Sequence, residues 1–483
     1  MNTILISSVV LYLLGTLGLG VWAGSRIKNT ADFAVAGRRL PLVMVVTTTF
    51  ATWFGAETVM GIPAKFVQGG LGALVEDPFG AGTCLILVGV FFAVRLYKLN
   101  LLTIGDYYRA RYGKGIEVFC SAAIILSYLG WVAAQITALG LVFSVLTNGA
   151  LSETWGMIIG TLAVLIYVVI GGFLAVAITD FIQMIVLVVG LSIIAVFSAK
   201  LAGGTAPVFA MASRGDLWHV LPQASFKDIA AFLGAGVTMM LGSIPQQDVY
   251  QRVMSARTAP TARAGAVIGG ASYILFAFVP MFVVACAVVV MGDSAMEIAK
   301  SDYQKLLPTF VLTRMPLAMQ ILFFGALLSA IKSTSSATLL APATSFVENI
   351  LKNIRPHTND REQLLAMRIT IVVFAALVLS YAIGMRGTSI YDMVGEAYKV
   401  TLVGAFVPLV MGLYWKRATT QGAILSLALG IGTWIGLSIS PLADAFPSQL
   451  AGLITAFVGM IAGSLAPQVL KNRHEPHKTA VSA

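Results

Sequence analysis

Long apolar stretches, separated by short polar ones, run along the chain as far as residue 470. Most are at least as long as the roughly 20 apolar residues that cross a bilayer as one helix. The pattern predicts thirteen membrane-spanning helices, which we number as spans 1 to 13, at residues 3–24, 42–68, 77–97, 117–146, 155–174, 179–201, 227–247, 264–291, 317–350, 367–385, 390–414, 421–440 and 448–470. The two longest connections, 202–226 and 292–316, are predicted to be lids or short surface helices.

The composition agrees with this pattern. Of the 483 residues, 58% are apolar (AVILMFWYC) and 11% are charged, whereas a soluble domain carries about a quarter charged residues. Disordered and disulfide-rich proteins have different compositions again. The cysteines Cys84, Cys120 and Cys286 each lie inside an apolar run and form no metal-binding spacing. We therefore predict an all-α polytopic membrane protein.

The net charge of +10 indicates how the chain is oriented in the membrane, because the basic residues fall in alternate connections between the spans. We therefore expect no nucleic-acid partner. One side receives the Lys and Arg residues of segments 26–39, 95–114, 252–263, 352–368, 416–417 and 471–478. The other side receives far fewer: Lys200, Arg214, Lys227, Lys300, Lys305, Arg314 and Arg386. The positive-inside rule then predicts a plasma membrane protein with its N-terminus outside and its C-terminus in the cytoplasm. Span 1 has no basic segment before it and is expected to be retained rather than cleaved.

Spans 2 and 7 combine Gly, Pro and polar residues at membrane depth. Span 2 contains Phe50-Ala51-Thr52-Trp53-Phe54-Gly55-Ala56-Glu57 and then Pro63, and span 7 contains Leu241-Gly242-Ser243-Ile244-Pro245-Gln246. Irregular backbone is tolerated in a membrane only where protein or a water-filled cavity surrounds it. Broken helices in corresponding positions of two repeats are typical of a transporter binding site. Small residues that merely allow close helix packing are the alternative, and Glu57 beside the first break favours a site.

Span 9 carries several hydroxyl groups. Ala330, Ser333 and Thr334 lie at positions i, i+3 and i+4, so they share one face of a helix. Their hydroxyl and carbonyl oxygens, together with carbonyls freed at the break around Ala51 and Phe54, are suitable ligands for a small monovalent cation. The alternative is that Ser and Thr bond back to carbonyls of their own helix.

Other classes of function fit the sequence less well. No nucleophile–base set or group of metal ligands falls within the spans, so we do not expect an enzyme. A channel needs a continuous polar pore and would dissipate a solute gradient instead of driving it. No obligate protein partner is expected, and the partners are the lipid bilayer and a small-molecule solute.

Four stretches resemble the sodium:solute symporter family, which includes sodium/glucose, sodium/proline and high-affinity choline transporters. They are distributed over most of the length of the chain and are Phe50–Gly55, Gly171–Val176 with Thr179–Gln183, Leu328–Thr334, and Tyr414–Arg417 with Gln421–Ala423. The resemblance implies a 5+5 inverted-repeat (LeuT-like) core and sodium-driven uptake of a small organic solute such as an amino acid, an amine or a carboxylate. The implied segments are 1–41 (an extra helix and loop), 42–201 (first repeat), 202–226 (extracellular loop), 227–414 (second repeat), 415–470 (two helices) and 471–483 (cytoplasmic tail).

The resemblance also implies particular site residues. The sodium ligands would be the carbonyls of Ala51, Phe54 and Ala330 with the hydroxyls of Ser333 and Thr334, and Asp180 would lie on the ion pathway. The substrate cavity would be lined by Trp53, Glu57 and Thr58, and also by Trp131, Gln135, Gln246 and Tyr250.

Two residues depart from the family pattern. Lys332 stands where an apolar residue is expected, about 200° around the helix from Ala330. It should point away from the ion, but a rotated helix would let its ammonium replace the cation, giving a proton-coupled or uncoupled carrier. Gln246 replaces an aromatic residue of the choline transporters, so an aromatic cage for a quaternary ammonium would be incomplete. Elsewhere, Glu396 and Lys399 are predicted to form a pair along their helix. Asp248, paired with Arg252 four residues further on, is predicted to fix the cytoplasmic end of span 7 rather than to bind solute.

Overall fold

The described part of the chain folds almost entirely into helices in the computed structural model, which describes residues 3–25, 27, 29–356, 359–443 and 445–470. The predicted tail 471–483 and the basic residues Arg26 and Lys28 lie outside the described residues. The first ten helices are α1 Thr3–Gly24, α2 Thr30–Val35, α3 Leu42–Trp53, α4 Glu57–Gly69, α5 Leu71–Lys98, α6 Ile104–Tyr112, α7 Lys114–Leu146, α8 Glu153–Leu201, α9 Ala206–Arg214 and α10 Phe226–Gly242. The others are α11 Gln247–Ser255, α12 Ala259–Met291, α13 Asp293–Ser301, α14 Leu306–Arg314, α15 Leu317–Ile354, α16 Asp360–Gly384, α17 Ile390–Tyr414, α18 Thr420–Ser438 and α19 Ser448–Leu465.

Many helices begin at a residue whose side chain caps the first turn. Ser225 Oγ accepts from Asp228 N at 3.1 Å, and Asn359 Oδ1 accepts from Glu362 N at 3.0 Å. Thr103 and Asp106 form a reciprocal capping box at the start of α6. These short polar side chains satisfy backbone N–H groups that have no partner within the helix. The chain between the apolar stretches therefore already specifies where several helices start.

Ten helices are long and apolar enough to cross a membrane, or twelve when each of two bent pairs is taken as one span, within the described residues. The bent pairs are α3 with α4, at 57°, and α10 with α11, at 44°. They coincide with predicted spans 2 and 7, so the two predicted breaks are confirmed.

The predicted spans 5 and 6 do not appear as two separate helices. Helix α8 continues from Glu153 to Leu201 and is interrupted only by non-helical dihedrals at Gly172, where φ is +50°. A Cβ at this glycine would lie 2.5 Å from the Phe33 ring, so both the backbone and the packing require glycine. No polar connection separates the two apolar stretches, and one tight glycine turn takes its place.

The helices around the broken span α3–α4 pack closely on one another. Helix α15 packs against α8, α7 and α3, while α12 packs along α3 and α5. Helix α17 packs along α7, and the terminal helices α18 and α19 form a pair. Helix α1 packs on α8 and on the far side of α15. The break between α3 and α4 is thereby surrounded by protein.

The two long connections contain short helices, as predicted. Helix α9 lies in segment 202–226, and α13 and α14 lie in segment 292–316. The chain after α9 folds back on the turn between α4 and α5, where Leu71 N donates to Leu217 O at 2.9 Å and Gly72 N donates to His219 O at 2.8 Å. This connection therefore covers one end of the broken span.

Candidate ion and substrate site

The break in span 2 begins where α3 ends at Trp53. Phe54 leaves the helical region, with φ −88° and ψ 68°, and its N–H still donates to Phe50 O. The last four carbonyls of a helix have no partner within it, which puts the Ala51 carbonyl among the free groups next to the break. Ala56 N donates instead to Gln135 Oε1 at 2.9 Å, so a side chain from α7 replaces a helical bond.

Glu57 lies directly after the break and is buried. Its carboxylate accepts from Trp131 Nε1 at 3.1 Å and from Gln135 Nε2 at 2.5 Å. The structure therefore brings together three predicted substrate residues, from α4 and α7. Because both donors are fixed in the protein interior, the carboxylate is held in one orientation.

Three polar atoms converge on Gly55. A Cβ placed there would lie 2.6 Å from Thr334 Oγ1, 2.7 Å from Glu57 Oε2 and 2.8 Å from Gln135 Oε1. Thr334 is a predicted sodium ligand, whereas Glu57 and Gln135 are predicted substrate residues. The two groups of residues therefore meet at the break, and only a residue without a side chain leaves that point open.

An aromatic group lies beside this point. The rings of Trp53 and Trp131 are 5.4 Å apart, and the Tyr398 ring lies 6.2 Å from the first and 5.7 Å from the second. Tyr128 stacks on Trp131 at 6.1 Å. These buried rings come from α3, α7 and α17, and they form one wall of the candidate substrate site.

Thr58 faces another side of α4. Its Oγ1 donates to the Trp53 carbonyl at 3.2 Å and is also hydrogen-bonded to Tyr273 Oη of α12, at 3.0 Å. The Tyr273 hydroxyl donates to Asp77 Oδ1 of α5. Asp77 is buried, and its Oδ2 has no hydrogen-bond partner in the described part of the chain. A second polar network thus joins the broken span to α5 and α12.

The predicted ion side is organised by Asp180 of α8. Its Oδ2 accepts from Thr48 Oγ1 and its Oδ1 accepts from Ser333 Oγ, both at 2.5 Å. Asp180 therefore joins α3 to α15 next to the break. Thr334 Oγ1 is buried and meets no acceptor or donor among the described residues, in contrast to Thr338, which bonds back to Thr334 O at 2.7 Å. Ala330 lies one turn before Ser333 and Thr334 and is buried with them.

Arg252 of α11 is a buried cation close to this region, and sequence reasoning gave it only a pairing role. Its guanidinium donates to the main-chain carbonyls of Thr48 at 3.3 Å and Asp248 at 2.7 Å, and to Thr52 Oγ1. The predicted pairing with Asp248 is therefore wrong as a side-chain contact. The two residues are one helical turn apart, as the spacing predicts, but the buried guanidinium points to α3 and not to the Asp248 carboxylate.

Gln246 and Tyr250 are placed differently from the Glu57 group. Gln246 Nε2 donates to Ser127 Oγ at 2.7 Å, one turn of α7 before Trp131. The Tyr250 hydroxyl donates to Leu101 O at 3.4 Å, in the connection between α5 and α6. Arg38 Nη2 donates to the same carbonyl at 2.7 Å, so Tyr250 lies at the end of the bundle where this connection is tied down.

At the same end, α6 is fixed to α17 by its tyrosines. The hydroxyls of Tyr107, Tyr108 and Tyr112 donate to Leu409 O, Ala405 O and Pro408 O, at 3.3, 2.9 and 2.8 Å. Burial raises the pKa of the Tyr108 hydroxyl well above its ordinary value, so it remains a neutral donor at physiological pH. These bonds close the bundle on the side of α6.

Lys332 points away from the break, as its position on the helix predicts. Its Nζ donates to Thr16 Oγ1 of α1 and lies 4.3 Å from the centre of the Tyr167 ring. One turn earlier, the Tyr12 and Ser329 hydroxyls are hydrogen-bonded to each other. The ammonium is therefore held between α1 and α8, behind the candidate ion site. The predicted pair of Glu396 and Lys399 is confirmed, with 2.5 Å between Oε1 and Nζ.

Sequence reasoning missed Tyr128, Tyr273 and Tyr398 as members of the site. A tyrosine in an apolar span gives little signal alone, because most buried aromatic residues only pack. Tyr398 stands between Glu396 and Lys399 in a polar stretch of span 11, which is the one sequence feature that could have marked it.

Known proteins can now be compared with this geometry. The sequence model of the sodium:solute symporter family matches residues 33–430. The chain belongs to the sodium:solute symporter family. Membership confirms the resemblance and agrees with the expectations of a membrane transporter, with sodium as its coupling ion and no enzymatic activity.

The individual relatives have low sequence identity to this chain. A high-affinity choline transporter from Caenorhabditis elegans is 26% identical over 449 residues, covering 88% of this chain and 76% of the relative. A sodium/pantothenate symporter from Haemophilus influenzae is 25% identical over 481 residues, covering 95% of this chain and 96% of the relative. A solved Na⁺-coupled sialic acid symporter has a TM-score of 0.83 at 20% identity, covering 96% of this chain and 98% of that one. The fold is thus that of the solved sialic acid symporter.

Proposed function

We propose that this family member is a sodium-coupled symporter that imports a small organic solute across the plasma membrane by alternating access. The observation that carries the proposal is the convergence at Gly55. There the hydroxyl of Thr334 on α15 meets Glu57 and Gln135 beside the broken span. An ion held by α15 and a solute held by Glu57 and its neighbours would share one non-helical segment of backbone.

We propose that sodium binds between the end of α3 and α15. Its ligands would be the carbonyls of Ala51, Phe54 and Ala330 with the hydroxyls of Ser333 and Thr334. Thr334 Oγ1 has no partner in the described protein, so ligating an ion would satisfy a buried polar atom that is otherwise costly. Asp180 would lie on the ion pathway, where its bonds to Thr48 and Ser333 hold the two helices together.

The substrate cavity would be lined by Trp53, Glu57, Thr58, Trp131 and Gln135, with Gln246 at its edge. The aromatic wall and the fixed Glu57 carboxylate support this assignment. The relatives' names include choline, pantothenate and sialic acid transporters, which are different solutes and leave the substrate to be decided from the site itself. Tyr250 was proposed for this cavity, but its bond to Leu101 O favours a role at the end of the bundle.

The topology completes the proposal. At about 1.5 Å per residue, the 49 residues of α8 would extend far beyond a bilayer core of about 30 Å. We therefore propose that α8 crosses twice, turning at Gly172, so that thirteen spans contain two inverted repeats opened by α3–α4 and α10–α11. Basic-residue placement would put the N-terminus outside and the α6 end in the cytoplasm.

The membrane potential acting on one sodium ion provides enough free energy to accumulate the solute. Moving one charge through 100 mV yields about 2.3 kcal/mol, which supports a solute gradient of roughly fifty-fold. Sodium at the α3–α15 junction would favour the arrangement in which the Glu57 side of the break is formed. The tyrosine contacts of α6 with α17 would then have to open for release on that side.

A proton-coupled or uncoupled carrier with Lys332 in place of the cation is the alternative. Against it stands the position of the Lys332 ammonium, which contacts Thr16 and the Tyr167 ring. Moving it to the break would require rotating α15 by about half a turn. The contacts that α15 makes therefore favour sodium.

The experiment uses sodium alone as the probe. Purified protein is melted in NaCl and in KCl at equal ionic strength, alongside Ser333→Ala and the matched control Ser335→Ala, whose hydroxyl bonds to Ile331 O in its own helix. We expect sodium to raise the melting temperature of the wild type and of Ser335→Ala, and to have a much smaller effect on Ser333→Ala. Equal responses of all three proteins, or no response to sodium, would reject the proposed ion site.

A further inference from the structure

Asp248 is a buried carboxylate that is only half satisfied. It is fully buried at the start of α11. Its Oδ1 accepts from the Tyr128 hydroxyl at 2.5 Å, and Tyr128 Oη in turn accepts from Asp248 N at 2.9 Å. Its Oδ2 has no hydrogen-bond partner in the described part of the chain. A carboxylate oxygen without a donor in a protein interior is costly, so it calls for an explanation.

The obvious positive neighbour does not supply one. The Arg252 guanidinium, four residues along α11, donates to the main-chain oxygens of Asp248 and Thr48 and to Thr52 Oγ1. The start of a helix stabilises an acid in general, but a helix end does not give Oδ2 a donor. The neighbouring Trp53 indole does not satisfy Oδ2 in hydrogen-bonding geometry either, so this oxygen is open to a further donor.

Around Asp248 lies the aromatic wall of the candidate substrate site. Tyr128, which bonds Oδ1, stacks on Trp131, and Trp131 contacts both Trp53 and Tyr398. The Trp53 indole lies beside the Asp248 carboxylate, yet its Nε1–H meets no acceptor in hydrogen-bonding geometry among the described residues. The Tyr398 hydroxyl also has no partner there. Three unpaired polar atoms therefore border one group of aromatic rings.

This combination has a defined chemistry. Aromatic faces attract a cation, and a buried carboxylate oxygen accepts charge-assisted hydrogen bonds. A quaternary ammonium has no N–H to donate to Oδ2, and Gln246 stands where a further aromatic residue would be needed to cage it. A protonated primary or secondary amine satisfies both the rings and the oxygen. An oxygen atom elsewhere in the solute would accept from Trp53 Nε1 or from Tyr398.

We propose that Asp248 is a specificity-determining residue that accepts an N–H hydrogen bond from a protonated primary or secondary amine of the transported solute. This rests on the proposed function and names the substrate class of the same candidate site. Glu57 differs from Asp248 in that both of its oxygens accept hydrogen bonds within the protein, from Trp131 and Gln135.

The test uses matched pairs of compact solutes that differ only in N-methylation. Ethanolamine with choline, and proline with its N,N-dimethyl betaine, are added to the purified protein in NaCl, with lactate as a compound lacking an amine. We expect an N–H member of a pair to raise the melting temperature, and its fully methylated partner to bind at least about tenfold more weakly, since one charge-assisted bond is lost.

Two variants sharpen this test. Asp248→Asn preserves the shape and the Tyr128 contact but removes the charge, and it should abolish stabilisation by the amine while sodium alone still stabilises. Asp216→Asn, on an exposed connection, is the matched charge control and should behave like the wild type.

The outcomes separate this inference from the proposed function. Sodium-dependent stabilisation by lactate or by the methylated partners, or no stabilisation by any amine, rejects the role of Asp248 but leaves sodium symport in place. Unchanged amine binding by Asp248→Asn rejects it as well. Amine stabilisation that is equal in NaCl and KCl supports the amine site and contradicts sodium coupling.

Discussion

The two faces of α15 differ in how their polar groups are satisfied. On the face toward α1, the Lys332 ammonium is bound by Thr16 and Ser329 is bound by Tyr12. On the face toward the broken span, Ser333 bonds to Asp180 but Thr334 Oγ1 has no protein partner within the described chain. The polar side chains on one face of this helix thus all have hydrogen-bond partners, whereas one on the other face has none within the described chain. The comparison teaches that, beside the break, the Thr334 hydroxyl without a protein partner marks the candidate ligand position better than polarity alone does.

The largest effect is expected for Gly55→Ala. Its methyl group would occupy the point where Thr334, Glu57 and Gln135 converge, at 2.6–2.8 Å from their oxygens. We expect sodium-driven uptake to be lost, because both the ion and the solute sides are displaced. The matched control is Gly325→Ala on α15, where nothing lies within 4 Å of a new methyl group. Wild-type transport by Gly55→Ala in proteoliposomes would show that this point is not used.

The second-largest effect is expected for Asp180→Asn. The variant removes a negative charge beside the proposed sodium site and leaves one of the two hydroxyl donors, Thr48 or Ser333, without its acceptor. We expect the sodium concentration for half-maximal stabilisation to rise on the order of tenfold to a hundredfold. The measurement is a sodium titration of the melting temperature, with Asp216→Asn as the control. A variant that titrates like the wild type would remove Asp180 from the ion pathway.

A smaller effect is expected for Thr334→Ala. Because Thr334 Oγ1 has no partner in the described protein, its removal should hardly change the stability measured without sodium. Loss of one ligand should nevertheless weaken sodium binding about tenfold. Thr338→Ala is matched, since Thr338 bonds only to carbonyls of its own helix. Equal sodium titrations of the two variants would contradict the difference between satisfied and unsatisfied positions.

The smallest effect on sodium is expected for Lys332→Met. The side chain faces α1 and the Tyr167 ring, so transport should keep its sodium dependence, with an affinity within about twofold of the wild type. Lys332→Arg serves as the charge-preserving control. If Lys332→Met abolishes transport or removes its sodium dependence, the ammonium belongs to the coupling site, and the alternative of a lysine in place of the cation gains support.

The sequence predicted the fold well where local chemistry decides it. Apolar length located the spans, and Gly and Pro next to polar residues located both bends. At α8 it predicted two spans, whereas the structure has one helix from Glu153 to Leu201 that is interrupted only at Gly172, since no polar connection divides the apolar pattern there. It failed for Asp248 and Arg252, whose spacing suggested a local pair although the guanidinium reaches Thr48 and Thr52 of α3.

Part of the candidate site was also predictable, where local sequence features mark its residues. Glu57, Trp131 and Gln135 stood out as polar or large residues beside a break, and the structure brings them together. Tyr398 and Tyr273 come from spans far away in the chain, and nothing local distinguishes a tyrosine that lines a site from one that packs. Their roles depend on tertiary contacts that periodicity does not encode.

The most direct test of the account is equilibrium binding of radioactive sodium to the purified protein in excess KCl. The wild type and Ser335→Ala should show saturable binding that potassium does not displace. The double variant Ser333→Ala/Thr334→Ala should lose it while retaining the fold, judged by helical content and by its melting temperature in KCl. Undiminished sodium binding by the folded double variant would contradict the claim that the end of α3 and α15 together hold the coupling ion.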